Sequence, residues 1–227
     1  MRISLKPSRS KSPAGKSALK VLIADDHAVV RQGLKQILAD SFRHATFGEA
    51  RNAQEALEHV WSKKWDIVIL DINMPGRSGL DALKELRNAR PSLPVLVLSV
   101  YPEDQFAIRV LKAGASGYMG KESAPEDLIR AIHKVLAGGR YVSATLAEKL
   151  AQSLSVPTAQ APHETLSNRE YEVLSMIAAG ITVKQIALKL SLSAKTISTY
   201  RTRILEKMGL KTTAELIHYA IQNNLVE

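Results

Sequence analysis

No cysteine occurs among the 227 residues. That excludes a disulfide framework, a thiolate metal site and a thiol nucleophile, and it is compatible with a reducing cytoplasm, where the chain is expected to work. No run of about 18 or more apolar residues is present, so neither a membrane span nor a membrane partner is expected. Acidic residues are missing from residues 1–20, which carry six Lys/Arg. No apolar stretch follows them, so they do not read as a secretory signal. The rest of the chain is far less basic. Residues 21–139 hold fifteen charges of each sign, and residues 163–227 hold eight bases against six acids. The net charge of +9 is therefore mostly a property of the tail. Any argument for a nucleic-acid partner has to rest on local placement.

The length accommodates two modest domains. Residues 1–18, rich in Ser, Lys, Arg and Pro without a hydrophobic pattern, read as a disordered tail. Residues 19–138 alternate short β-rich runs with helical patterns. The runs fall at Leu19–Ala24, Ala45–Glu49, Ile67–Leu70, Val95–Leu98 and Gly117–Met119. This alternation predicts an α/β domain with a parallel sheet. VLIA and IVIL are apolar without alternation, as strands covered on both faces are. Residues 139–162 contain one short helical pattern and the Ser/Pro/Thr/Ala-rich segment SVPTAQAP, which reads as a linker. Residues 163–227 lack strand patterns and predict four helices: Asn168–Ala179, Val183–Leu190, Ala194–Met208 and Thr213–Asn224. Ser167 with Glu170 forms a capping box, Ser193 is a plausible N-cap, and Gly180 and Gly209 supply stops.

Ligands of parallel sheets bind at the carboxyl ends of the strands, and there the polar residues concentrate. Asp25 and Asp26 follow the first strand and Asp71 follows the third. Three converging carboxylates repel one another unless a cation compensates. Oxygen-only donors suit Mg²⁺, with Asp26 and Asp71 as ligands and a backbone carbonyl near Asn73 completing the protein's share. Ser99 follows the fourth strand and Lys121 follows the fifth. A hydroxyl and an ammonium beside a carboxylate and Mg²⁺ make a site for a phosphoryl group on Asp71. Each residue alone has an ordinary reading as an N-cap, a turn or a solvated charge. The combination at strand ends is what points to phosphoryl chemistry.

LIADDHAVVRQGL, DIVILDINMPGRSGLDALKELR, PVLVLSVY and LKAGASGYMGKES resemble the receiver domains of bacterial two-component systems. The resemblance implies a five-stranded parallel, flavodoxin-like fold. It makes Asp71 the phosphoacceptor for a sensor histidine kinase and places Mg²⁺ among Asp25, Asp26 and Asp71. Ser99, Tyr118 and Lys121 become a switch set, in which the Tyr118 ring moves inward as Ser99 shifts toward the phosphoryl group.

On Ala194–Met208, at about 100° per residue, Ile197, Ile204 and Met208 share one face while Lys195, Thr199, Thr202 and Arg203 lie opposite. Lys195–Lys211 holds five bases and one acid. Small hydroxyls flanked by cations suit a helix in the major groove of double-stranded DNA. LSNREYEVLSMIAAG and VKQIALKLSLSAKTISTYRTRILEKMGLKT resemble the LuxR-type helix-turn-helix of NarL/FixJ-type response regulators. The resemblance turns Ser198, Thr199 and Thr202 toward bases and Lys184, Lys195, Tyr200 and Arg203 toward phosphates. Tyr200 and Val183 stand where the family often has His and Asn. A broad apolar stripe on the last helix, Leu216, Ile217, Ala220 and Ile221 with Leu225, is a candidate homodimer seam, although one flank must serve the domain's own core. An aspartyl phosphohydrolase is a competing class that the reader domain disfavours, and a protein-binding adaptor with a vestigial helix-turn-helix is another, which salt-dependent DNA binding with sequence preference would exclude. A phosphorylation-dependent transcription regulator, not an enzyme, is the expected function.

Overall fold

The computed structural model describes residues 18–76, 78–100, 103–155, 161–223 and 225. The expected tail up to residue 17 and residues 156–160 of the expected linker lie outside them. Five parallel strands, β1 (Lys20–Ala24), β2 (Thr46–Ala50), β3 (Ile67–Asp71), β4 (Val95–Ser99) and β5 (Gly117–Gly120), pair in the order β2-β1-β3-β4-β5. This is the flavodoxin-like order, and each strand falls within one residue of its expected range.

Helices α1 (Ala28–Ser41), α2 (Ala53–Ser62), α3 (Gly79–Ala89), α4 (Glu103–Lys112) and α5 (Pro125–Leu136) connect the strands. Alternate strand residues feed two cores. Val21, Ile23, Ile67 and Ile69 pack with α1 and α5 through Leu38 and Ile132. Leu22, Val68, Leu70 and Val97 pack with α2, α3 and α4 through Leu57, Leu83 and Phe106. Burial on both faces explains why these strands read as unbroken apolar runs.

The chain continues through α6 (Ala144–Ser155), which lies against α4, and a 3₁₀ turn at Pro162–Thr165. Four helices complete it: α7 (Asn168–Ala178), α8 (Val183–Lys189), α9 (Ala194–Met208) and α10 (Thr213–Gln222). Capping is local and explicit. Ser167 with Glu170 and Thr182 with Gln185 form capping boxes, and Ser193 accepts from the Thr196 N–H. Gly209 ends α9 in the left-handed region at φ 67°, where a Cβ would be strained.

The C-terminal core gathers Val173, Leu174, Ile186, Ile197 and Ile204. Leu216 and Ala220 belong to it as well, fully buried within their own domain. The proposed dimer seam is corrected accordingly. Of its four residues, Leu216 and Ala220 are used internally, Ile217 is half-buried, and Ile221 alone is open, at 58 % exposure. Leu225, at the edge of the stripe, is also buried. A helix of this length must first cover its own core, and that need takes the centre of the stripe. Among the described residues no helix is long and apolar enough to cross a membrane.

Candidate functional site

Parallel register brings the polar strand ends together. Asp71 closes β3, Ser99 closes β4, and Asp25 follows β1. Lys121 follows β5, and its N–H donates to the Ser99 carbonyl at 2.8 Å, tying that loop to β4. The Lys121 Nζ stands between two buried carboxylates, 2.6 Å from Asp25 Oδ2 and 2.7 Å from Asp71 Oδ2. The other Asp71 oxygen accepts from the Asn73 N–H at 2.8 Å. The Ser99 hydroxyl, fully buried, donates to Asn73 Oδ1 at 3.0 Å.

Charge and burial compete here. Burial pushes the Asp71 carboxyl above the ordinary aspartate range, Lys121 and the Asn73 N–H pull it down, and Asp25 adds to the rise. For Lys121, burial is the largest effect and lowers its proton affinity. The surrounding charges and hydrogen bonds of Asp71 and Asp25 together outweigh it and hold the ammonium above the usual lysine value. The Asp71 direction reflects burial first, and the Lys121 direction reflects the two carboxylates around it.

The donor set fits a hard divalent cation. Oxygens of Asp25, Asp26 and Asp71, with a His27 ring nitrogen, lie within 4.8 Å of one another. Asp26 Oδ1 is buried without a hydrogen-bond partner. The His27 Nδ1 is 3.0 Å away from it, an ion-pair distance without hydrogen-bond geometry. A buried carboxylate oxygen left unsatisfied is costly, and a coordinated cation removes that cost.

The sequence reading missed the support behind this pocket. Arg31 of α1 donates to the Asp25 carbonyl at 2.8 Å and to Glu49 Oε2 at 3.0 Å, and Lys35 reaches the other Glu49 oxygen at 2.7 Å. The pair spans 18 residues, so no local spacing announces it. Tyr118 is fully buried beside the α4 core. The inward swing expected of its ring therefore has no outward starting point in this arrangement.

The second candidate surface is α9. Ile197, Ile204 and Met208 face the core, while Lys195, Thr199, Thr202 and Arg203 are exposed on the opposite side. Ser198 is half-exposed, Lys184 of α8 is exposed, and Tyr200 packs partly against the core. Each hydroxyl is already satisfied by its own helix. Ser198, Thr199 and Thr202 donate to the carbonyls of Ala194, Lys195 and Ser198 at 3.0, 3.0 and 3.1 Å. Such back-bonding leaves the oxygens free to accept from a base edge.

Residues 21–133 match the response regulator receiver domain, and residues 164–220 match the bacterial regulatory proteins of the luxR family. The response regulator GacA of Pseudomonas aeruginosa is 39% identical over 210 residues, covering 92% of this chain and 98% of the relative. The response regulator UvrY of Escherichia coli is 34% identical over 208 residues, covering 91% and 95%. Among solved structures, RcsB from Salmonella enterica serovar Typhimurium, bound to promoter rprA in the presence of the phosphomimetic BeF3-, superposes with a TM-score of 0.62. It is 28% identical over 89% of this chain and 98% of that one.

Proposed function

Because the chain belongs to the two-component response regulators that join a receiver domain to a LuxR-type DNA-binding domain, we propose that Asp71 accepts a phosphoryl group from a sensor histidine kinase and thereby controls DNA reading. The observation that carries this reading is the Lys121 ammonium shared by Asp25 and Asp71, beside the unpartnered Asp26 oxygen. The pocket is built to gather negative oxygens around one carboxylate. An Asp71 oxygen attacks phosphorus, the P–N bond of the donor phosphohistidine breaks, and the leaving imidazole nitrogen takes up a proton.

Mg²⁺ held by Asp25, Asp26 and Asp71, with Asn73 alongside, would offset the charge of the phosphoryl oxygens. Lys121 turns its ammonium to one of those oxygens, and Ser99 re-aims its hydroxyl from Asn73 to another. Self-limited acceptance of one phosphoryl group makes the chain a regulator, not an enzyme that turns over an external ester. Residues 19–138 act as receiver, 139–162 as linker and 163–227 as reader, in the cytoplasm.

In the reader, Ser198, Thr199 and Thr202 face bases while Lys184, Lys195, Tyr200 and Arg203 meet phosphates. A structural relative bound to promoter rprA supports double-stranded DNA as the partner. A homodimer on a symmetric operator would use the exposed Ile221 with the half-buried Ile217 beside it on α10. The α9 face is already exposed, so phosphorylation acts by shifting the chain toward that dimer. With Mg²⁺ and a small phosphodonor the protein should gain one base-labile acyl phosphate, and Asp71→Asn should abolish it. Undiminished labelling of that variant would sink the assignment.

A further inference from the structure

Only Asp25, Asp26 and His27 separate β1 from α1, and two of the three pocket carboxylates stand on this short connection. Its backbone groups need partners that the flanking elements do not automatically supply. The Asp25 N–H donates to the Ala50 carbonyl at 3.1 Å, extending the ladder between β1 and β2. The His27 carbonyl accepts from the Arg31 N–H at 3.2 Å, where α1 begins. The Asp25 carbonyl belongs to neither ladder. A side chain takes it instead: the Arg31 guanidinium reaches back past the start of α1 and donates to it from Nη1 at 2.8 Å.

That carbonyl is part of the peptide joining Asp25 to Asp26. A peptide is planar, so a hold on its oxygen fixes the tilt of the unit from which both acids project. A free plane turns while the neighbouring φ and ψ compensate, and it carries the two carboxylates with it. Arg31 is itself anchored. Its side chain is 9 % exposed, and Nε donates to Glu49 Oε2 of β2 at 3.0 Å. Lys35, one turn further along α1, donates to the other Glu49 oxygen at 2.7 Å. Hydrogen bonds from Lys35 and then Arg31 hold the Glu49 carboxyl below the usual glutamate range, against the effect of burial. Serving a carboxylate and a carbonyl at once needs the fixed fork of a guanidinium, which an ammonium lacks.

Resting on the reading of Asp71 as phosphoacceptor, we infer that Arg31 is a positioning residue for the cation of the acidic pocket. It straps the peptide plane between Asp25 and Asp26, with Glu49 as its anchor, and so aims two carboxylates at one ion. It touches neither the ion nor the phosphoryl group. Mg²⁺ demands near-ideal octahedral geometry, so groups that only orient its ligands still govern its affinity. The sign of the effect separates two causes. By charge alone a guanidinium near the pocket repels a cation, and its removal would tighten Mg²⁺ binding. Glu49 already pairs with that charge, and loss of the strap acts the other way.

Two measurements on the full chain test this: calorimetric titration with Mg²⁺, and the rate at which acetyl phosphate labels Asp71 across Mg²⁺ concentrations. Arg31→Ala should weaken Mg²⁺ binding by about 10-fold to 100-fold. Its labelling should need correspondingly more Mg²⁺ yet approach the wild-type maximum at saturation, because no group that meets phosphorus has been removed. Arg31→Lys, which keeps the charge and loses the fork, should behave like Arg31→Ala. Lys35→Ala, which leaves the strap in place, should stay close to wild type. If Arg31→Ala does not fold, Glu49→Ala frees the guanidinium from its anchor and should weaken Mg²⁺ binding by a smaller factor. A folded Arg31→Ala chain that melts earlier but binds Mg²⁺ as wild type does would make Arg31 merely structural and overturn the inference. Tighter binding would overturn it in favour of charge. A wild type that binds Mg²⁺ but is never labelled would remove the phosphoacceptor reading and leave the strap to stand on the titration.

Discussion

The acidic pocket and the α9 face carry their candidate chemistry in opposite ways. In the pocket, side chains are buried, and each is fixed by another: Lys121 by Asp25 and Asp71, Ser99 by Asn73, Asp25 by Arg31 through its carbonyl. On α9 the candidate contacts are exposed, and their hydroxyls are held only by their own helix. One region is assembled before any ligand arrives and stores uncompensated negative charge. The other is a patterned surface that is organised only when a duplex meets it. Substitution in the first should therefore register in folding, and in the second only in binding.

The largest effect that tests this contrast is at Lys121. Removing one partner of a buried ion pair costs about 3–5 kcal/mol. Lys121→Ala should fall near the low end of that range, because the ammonium keeps a solvent-facing side. Mg²⁺ should restore more stability to the variant than it adds to wild type, since it would replace the missing cation between Asp25 and Asp71. Lys195→Ala should change folding stability by less than about 0.5 kcal/mol. Urea unfolding of both variants, with and without Mg²⁺, decides it. Equal costs at the two lysines would break the comparison.

A smaller effect divides the α9 surface itself. Lys195→Ala should weaken binding to every DNA sequence and reduce the salt slope by about one unit. Thr199→Ala or Thr202→Ala should cost roughly 1–3 kcal/mol on the best operator and change preference between operators. Titrations on operator and random duplexes at several salt concentrations separate the two behaviours. If all three variants weaken both duplexes equally, α9 is not the base reader.

The same contrast explains what was legible in the sequence. Asp25, Asp26, Asp71, Ser99 and Lys121 stood out because parallel strands deliver their ends to one edge, so strand patterns alone brought them together. The alternation of strands and helices and the helical C-terminal domain followed from periodicity and capping, and the strand order from the resemblance to receiver domains. On α9 the sequence showed which residues share a face but no partner geometry. The stripe on α10 was ambiguous because own-core and partner-facing residues have the same period, and the structure assigns Leu216 and Ala220 to the core. Arg31 with Glu49, Arg109 with the carbonyls of His163 and Leu166, and Arg169 with Gly76 left no signal. Each reaches a group far away in the chain, in most cases a backbone oxygen that any residue would supply.

The smallest expected effect lies where the two regions meet. His163 holds its Nδ1 2.8 Å from the Tyr219 hydroxyl, packs against the rings of Tyr171 and Tyr219, and gives its carbonyl to Arg109. Burial lowers its proton affinity below the usual value of 6.5, and the Arg109 charge lowers it further, against the pull of Glu164. The folded chain therefore disfavours the imidazolium more than the unfolded chain does. The stability contributed by neutral His163 is fully present above about pH 6.5 and is lost as pH falls through the lowered folded value. Acidification should loosen the seam between receiver and reader while leaving the α9 face itself unchanged. Thermal unfolding of the full chain between about pH 7.5 and 5.5 should show a shallow loss in wild type that His163→Gln flattens. Arg109→Ala should also reduce that loss, because His163 then loses both the cation beside it and part of its cover. A His163→Gln chain with the wild-type slope would move the titration to another group and leave the seam insensitive to pH.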